Sequence, residues 1–145
     1  MIATGRPDDG QRLRWLGAAE VVNYQEDVVH QVRTAHPNGV DGLIDMVTFD
    51  PDSFAPLAKA VRRGGKVATL TGGATEDALA AAGLTGQMVT AGTSRDSLSR
   101  LITDVEDGTL TIEVGRVLPL DDADKGLETM ANRRARGKIV ITIDD

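Results

Sequence analysis

The segment NGVDGLIDMV, residues 38–47, followed by RRGGKVATLTGG, residues 62–73, decides the fold class of this chain. Each contains a compact run of aliphatic residues, and the segment between them carries apolar residues at helical spacing, namely Phe54, Leu57, Ala58 and Val61. A strand, a helix and a second strand in this order are typical of a parallel sheet, because parallel strands need a crossover connection. We expect the first strand, residues 42–47, to be buried on both faces, and the helix to stop at Gly64 and Gly65.

The same alternation continues on both sides of this segment. Toward the N-terminus it predicts strands at residues 1–4 and 20–24, a helix entered through Asp8 or Asp9 that turns Leu13 and Leu16 toward the core, and a helix begun near Asp27. Toward the C-terminus it predicts strands at residues 66–70 and 87–91 and helices at residues 75–82 and 97–106. The chain is therefore predicted to be α/β with a mostly parallel sheet.

The last part of the chain has a different pattern. An alternating segment at residues 111–120 precedes a helix at residues 122–134 and a strand at residues 138–143. This pattern predicts a C-terminal strand-helix-strand tail, so we divide the chain into residues 1–110 and 111–145.

Composition excludes several classes of function. A net charge of -6 argues against nucleic-acid binding, which needs clustered cations. No apolar run approaches the roughly 18 residues of a membrane span. The chain has no cysteine, and neither His30 nor His36 has the spacing to carboxylates of a zinc site, so no metal site is expected. Without cysteine or a signal peptide pattern, a cytoplasmic location is expected.

Six segments occur in the order of one known family: MIATGR, LGAAEVVNY, NGVDGLIDMV, RRGGKVATLTGG, GRVLPLDDADKGLETM and ARGKIVITI, which begin at residues 1, 16, 38, 62, 115 and 135. Together they resemble the C-terminal part of a medium-chain dehydrogenase/reductase of the zinc-type alcohol dehydrogenase superfamily, in its quinone-oxidoreductase branch. The resemblance implies a partial Rossmann-like domain in residues 1–110, with the dinucleotide across the carboxyl ends of the strands. It also implies that residues 111–145 return to the catalytic domain, and that the reaction is hydride transfer to a quinone or an activated double bond.

The resemblance places the adenosine half of the cofactor at the first loop, Thr4, Gly5 and Arg6. The guanidinium of Arg6 could hold the 2′-phosphate of NADP, and no acidic residue stands at the strand end to favour NAD. Arg6 could instead be a solvated loop charge, with Asp8 and Asp9 capping the next helix. Tyr24 would lie near the adenine, or it is an ordinary half-buried residue at a strand end.

Further cofactor contacts are implied by the loops after later strands. They are Met46, Val47 and Thr48; Thr71, Gly72 and Gly73; and Ala91, Gly92 and Thr93. Arg133 could add a cation for the 2′-phosphate. Ordinary turn chemistry explains the glycines equally well, and the dipole of the preceding helix is the stronger explanation for Arg133.

Two features that the resemblance implies are not found in the sequence. No GxGxxG turn is present to bind the pyrophosphate, and the strand, turn and helix that normally begin the domain are lacking. The missing strand would lie between those at residues 1–4 and 42–47. We therefore expect a rearranged sheet, a homo-oligomer or a partner chain that covers the open edges. A small-molecule substrate is expected only if a catalytic domain completes the enzyme. The alternative is a non-catalytic nucleotide-binding or interaction remnant of the family.

Overall fold

The computed structural model describes residues 1–90, 92–132 and 135–143. The chain divides into two compact units, Met1–Ala91 and Gly92–Asp145. The helix predicted at residues 97–106 therefore belongs to the second unit. The division into functional parts at residues 110 and 111 stays a prediction.

The first unit alternates strands and helices along its whole length. Its elements are β1 (Ile2–Gly5), α1 (Gly10–Trp15), β2 (Glu20–Asn23), α2 (Val28–Ala35), β3 (Val40–Asp45), α3 (Pro51–Ala58), β4 (Val61–Thr69), α4 (Glu76–Ala82) and β5 (Thr85–Met88), with a turn of 3-10 helix at Pro7–Asp9 before α1. Every strand pair is parallel, in the orders β1-β2 and β3-β4-β5. The predicted α/β class with a partial Rossmann-like sheet is confirmed.

The sheet of the first unit is divided between β1 and β3. Within the described residues, β1 pairs with β2, β3 pairs with β4, and no strand pair joins the two sheets. This is the position at which the sequence predicts a missing strand. Apolar packing nevertheless bridges the division, because Ile2 of β1 and Val40 of β3 pack against the same buried cluster of Val22, Val32 and Ala60.

The main core lies on one face of the three-stranded sheet. Phe54 and Ala58 of α3 and Leu79 of α4 are buried there against Val67 of β4. Leu43 packs against this core, whereas Ile44 faces the other way and is 66% exposed. Successive side chains of a strand point to opposite faces, and α3 and α4 cover only one of them. The prediction that this strand is buried on both faces is therefore wrong.

The glycine pair at residues 64 and 65 has a different role from the predicted one. Helix α3 ends at Ala58, and β4 begins at Val61, before the glycines. The register with β3 shifts from Val40↔Val61 to Gly42↔Lys66, which marks a bulge. Gly64 has a φ of +74° there, and a Cβ on Gly65 would lie 2.9 Å from the carbonyl oxygen of Asp41. The glycines thus allow the bulge and do not stop the helix.

Other predicted boundaries move by one to three residues. Helices α2 and α4 begin after Asp27 and Thr75, whose side chains accept hydrogen bonds from the backbone amides of His30 and Ala78. Strand β5 covers Thr85–Met88, so it begins two residues and ends three residues earlier than predicted. Leu16, expected in the core, is 55% exposed because α1 ends before it, at Trp15.

The second unit contains α5 (Arg95–Glu106), β6 (Val114–Pro119), α6 (Ala123–Ala131) and β7 (Lys138–Thr142). Strands β6 and β7 are parallel and α6 connects them, which confirms the predicted strand-helix-strand tail. Gly126 of α6 lies close to the strands, since a Cβ there would be 3.3 Å from Leu118 and Ile139. None of the helices in the described part of the chain is both long and apolar enough to cross a membrane.

Candidate functional site

The loops at the carboxyl ends of β1 and β2 lie side by side. The two strands are parallel, with Gly5 opposite Asn23, and the amide of Tyr24 donates to the carbonyl oxygen of Gly5 at 3.2 Å. Gly5 is buried, and a Cβ on it would overlap the side chain of Leu13. The structure therefore brings together three predicted contacts, Gly5, Arg6 and Tyr24.

Arg6 is held at this edge by Asp9. Its Nε donates to Oδ2 of Asp9 at 3.0 Å, and its backbone amide donates to the same oxygen at 3.2 Å. The hydrogen bond and the negative charge of Asp9 raise the pKa of the Arg6 guanidinium above its ordinary value. The same carboxylate takes part in a capping box around the 3-10 turn Pro7–Asp9, whereas it makes no side-chain cap to α1, so the capping alternative is not contradicted. A phosphate at Arg6 therefore has to compete with a carboxylate.

A cavity of about 270 Å³ opens beside Arg6. Arg14 of α1 and Glu26 also line it. The lining therefore contains two guanidinium groups, one from the loop after β1 and one from α1, together with one carboxylate. Glu26 accepts a hydrogen bond from the side-chain amide of Asn23 at 3.0 Å. The cavity thus offers two guanidinium groups, and the charge of Glu26 partly offsets them.

The end of β2 is fixed by Gln31 of α2. Its Oε1 accepts from the backbone amide of Asn23, and its Nε2 donates to the carbonyl oxygen of Asn23, both at 2.9 Å. The side-chain amide of Gln31 therefore makes the two backbone hydrogen bonds that a neighbouring strand would otherwise make. This contact holds the residue next to Tyr24.

The loops after β3 and β4 form a second group of predicted contacts. The carboxylate of Asp45, the last residue of β3, is 1% exposed and accepts hydrogen bonds from both loops. Its Oδ1 accepts from the amides of Val47 and Thr48 at 3.1 Å. Its Oδ2 accepts from the hydroxyls of Thr48, Thr69 and Thr71.

The two loops also meet through their backbones. The amide of Gly73 donates to the carbonyl oxygen of Thr48 at 3.0 Å. Met46 and Val47 are exposed at this edge, as is Gly72. A second cavity, of about 300 Å³, lies between the ends of β4 and β5, with Thr69, Gly72 and Met88 in its lining.

Some predicted contacts are not brought into these groups. Ala91 and Arg133 lie outside the described residues. Gly92 and Thr93 are exposed and belong to the second unit. A cofactor-binding role for each of the predicted residues stays a prediction.

Sequence reasoning missed Asp45 and Thr69, which organise the second group. A signal was present, since Asp45 follows an apolar strand and Thr48 stands three residues later. An aspartate in that position often accepts from amides two and three residues ahead. The hydroxyls from β4 could not be predicted because they come from a separate strand.

Groups that could bind a metal do not assemble among residues 1–90, 92–132 and 135–143. Within the described ranges, no cluster of three or more histidine, aspartate and glutamate side chains could hold an ion. The Nε2 of His36 instead lies 2.9 Å from Oε1 of Glu20.

Comparisons with known proteins agree on one family. A sequence profile described as zinc-binding dehydrogenase matches residues 16–141. The chain is 31% identical to a crystal structure of an NAD-dependent alcohol dehydrogenase, with a TM-score of 0.74 over 99% of this chain and 43% of that one. No curated protein sequence matches it.

Two quinone oxidoreductases share the fold. The enzyme from Coxiella burnetii is 23% identical, with a TM-score of 0.80 over 99% of this chain and 44% of its own. The enzyme from Pseudomonas syringae pv. tomato is 22% identical, with a TM-score of 0.72 over 97% of this chain and 48% of its own. The chain thus spans less than half the length of these relatives.

Proposed function

Because this chain belongs to the zinc-binding dehydrogenase family, we propose that it is the nucleotide-binding part of an NADP-linked oxidoreductase. The observation that carries the proposal is the arrangement of loops at the carboxyl ends of parallel strands, where dinucleotides bind in open α/β sheets. The reaction of the complete enzyme is hydride transfer to a quinone or an activated double bond. A bound nicotinamide supplies that hydride.

The residues present fit parts of the cofactor. Thr4, Gly5 and Arg6 hold the adenosine ribose and its 2′-phosphate, with Tyr24 against the adenine. The exposed Met46 and Val47 offer an apolar surface to the pyrophosphate and nicotinamide halves, and the proposed contact at Thr48 is buried and bonded to Asp45. Thr71, Gly72, Gly73, Ala91, Gly92 and Thr93 complete the proposed set of contacts.

Preference for NADP over NAD rests on charge. One of the similar structures is an NAD-dependent enzyme, and an acidic residue at the end of the second strand is what favours NAD. The second strand of the complete domain corresponds to β1 of this chain. The loop after β1 carries Arg6, and Arg14 lines the same cavity as Arg6. Both cations support binding of a 2′-phosphate. The contact predicted for Arg133 stays a prediction, since this residue lies outside the described ones.

For the pyrophosphate, which links the two halves of the cofactor, this chain offers the fewest contacts. The division of the sheet between β1 and β3 coincides with the position of the missing glycine-rich turn. We propose that a second copy of the chain or a partner polypeptide covers these edges, since unpaired strand edges are poorly tolerated in water. A catalytic domain is then needed to bind the small-molecule substrate.

Zinc does not fit the residues that the structure describes. Zinc sites in proteins use cysteine, histidine and carboxylate groups in a cluster of three or four. The chain has no cysteine, and His36 already pairs with Glu20. No step of the proposed function passes through zinc.

Titration of the purified chain with NADPH and NADH tests the proposal. We expect tighter binding of NADPH, and a loss of about tenfold or more in NADPH affinity in Arg6→Ala, because a charge-assisted hydrogen bond contributes about 1.5–3 kcal/mol. NADH affinity should change little. Arg100→Ala, on the exposed side of α5, is the matched control. Equal loss for both cofactors would remove the case for NADP.

A non-catalytic interaction module is the second candidate. The observation that favours it is the open face of the three-stranded sheet, where Ile44 and Leu70 are 66% and 47% exposed. A folded chain that binds neither cofactor would support this candidate and contradict the first.

A further inference from the structure

Asp45 carries a buried negative charge whose described hydrogen-bond donors all come from two loops and the end of one strand. Val47 and Thr48 belong to the loop after β3, Thr69 is the last residue of β4, and Thr71 belongs to the loop after β4. A buried carboxylate is costly unless hydrogen bonds replace its water. The loop after β3 supplies donors to both oxygens, and the end of β4 and the loop after it supply the remaining donors to Oδ2.

The two carboxylate oxygens divide this work between them. Oδ1 binds the amides of Val47 and Thr48, both from the loop after β3. Oδ2 binds hydroxyls on both sides, from Thr48 and from Thr69 and Thr71. The first oxygen thus shapes one loop, and the second ties that loop to the neighbouring strand.

We propose that Asp45 is a positioning residue that couples the loop after β3 to the loop after β4 and presents them to the dinucleotide as one preformed surface. This inference rests on the proposed function, since the loops are the proposed cofactor contacts. A preformed site has less ordering to do when its ligand binds. The hydrogen bond from Gly73 to Thr48 spans the same two loops and reports on the coupling.

Replacement of Asp45 by asparagine distinguishes the contacts of Oδ1 from those of Oδ2. The carbonyl oxygen of the asparagine still accepts from the amides of Val47 and Thr48. Its NH2 group, in place of Oδ2, donates, so each hydroxyl has to rotate and accept, and the hydrogen bonds to a charged oxygen are lost. We therefore expect Asp45→Asn to keep the two amide contacts within the loop after β3 and to weaken the link of that loop to β4. Thr69→Val removes one of the same links from the other side, with nearly unchanged volume.

The matched control is Asp41→Asn, four residues earlier on the same strand. The side chain of Asp41 is 90% exposed and pairs with Arg62. Its replacement changes the net charge by the same amount without touching the loops. Any effect of charge alone appears in both variants.

Amide hydrogen exchange tests the coupling without a ligand. In Asp45→Asn and in Thr69→Val we expect exchange of the Gly73 amide to rise about tenfold or more, while the amide of Leu79 inside α4 stays protected. Asp41→Asn should leave both amides unchanged. The proposal is overturned if Gly73 keeps its protection in Asp45→Asn and Thr69→Val, or if Leu79 loses protection to the same extent in both.

NADPH titration of the same variants tests the consequence for binding. We expect Asp45→Asn to weaken NADPH binding about tenfold or more and Asp41→Asn to leave it unchanged. Unchanged affinity in Asp45→Asn would overturn the positioning role. A wild-type chain that does not bind NADPH contradicts the proposed function alone, because the exchange of Gly73 still decides whether Asp45 couples the loops.

Discussion

The amide of Gly73 donates a hydrogen bond to the carbonyl oxygen of Thr48 at 3.0 Å, and a Cβ added to Gly73 would lie 2.8 Å from both the Cβ and the carbonyl oxygen of Thr48. The loops after β3 and β4 are therefore in backbone contact. A glycine is required there because no side chain fits between them. The close contact with Thr48 therefore explains the glycine at residue 73 without a bound ligand.

We expect Gly73→Ala to destabilise the chain by about 1–3 kcal/mol, because the new methyl group forces Thr48 away. The free energy of unfolding from urea denaturation measures the effect. Gly92→Ala is the control, since a Cβ there meets no atom within 4 Å. An equal effect of the two substitutions would show that the contact with Thr48 is not tight in solution.

The two phenylalanines of the chain offer a second matched pair. Phe54 of α3 is 0% exposed in the main core, whereas Phe49, five residues earlier, is 77% exposed. We expect Phe54→Ala to cost about 3–5 kcal/mol, the range for removing a buried aromatic ring, and Phe49→Ala to cost little. Thermal or urea unfolding of both variants checks this difference. Comparable losses of unfolding free energy in the two variants would show that Phe54 is not part of the main core in solution.

Local patterns predicted the elements of this fold well. The aspartate at residue 27 and the threonine at residue 75 mark helix starts through chemistry that involves only the next three residues. The alternation of strands and helices likewise predicts the parallel class. These features depend on neighbours in sequence, so one sequence is enough to find them.

Features that depend on distant residues could not be predicted in this way. The glycines at residues 64 and 65 have the usual pattern of a helix stop, and only the pairing with β3 shows that they form a bulge. Arg33 donates to the carbonyl oxygens of Lys59 and Pro37 at 2.7 and 2.9 Å. Nothing near Arg33 in the sequence indicates the first of these contacts.

The sequence predicted which loops form the candidate site, but it did not predict which side chains pair within them. The order of the strands gives the loops that follow their carboxyl ends, which is why Arg6 and Tyr24 lie side by side as expected. The partner of Arg6 was missed because Asp9 was considered only as a possible helix cap. The role of Asp45 was missed because its hydroxyl donors lie partly on another strand.

Stability at low pH should depend on Asp50, the N-cap of α3. Hydrogen bonds from the hydroxyl and amide of Ser53 lower the pKa of its carboxyl below the ordinary value. A lowered pKa in the folded state adds stability above the unfolded value of about 4, and this contribution is lost as the pH falls through the folded value. The difference in unfolding free energy between wild type and Asp50→Asn should therefore shrink below about pH 4.

Urea denaturation of both proteins at several pH values between about 2 and 7 measures this difference. Asp52→Asn, two residues later in the first turn of the same helix, is the control for charge near the helix start. A constant difference across this range would show that the hydrogen bonds to Ser53 do not distinguish the folded from the unfolded chain.

The amide bridge of Gln31 should fix the edge of the sheet next to Arg6. Gln31→Met keeps the length of the side chain but leaves the amide of Asn23 without its partner at this half-buried edge, and leaves its carbonyl oxygen with the amide of Glu26 alone. Each lost hydrogen bond costs about 0.5–1.5 kcal/mol, so we expect a loss of about 1–3 kcal/mol and faster exchange of the Asn23 amide. Gln11→Met, on the exposed side of α1, controls for the apolar replacement. If the Asn23 amide exchanges equally in both variants, water serves this strand edge as well as Gln31 does, and the edge beside Arg6 owes its order to the pairing of β1 with β2.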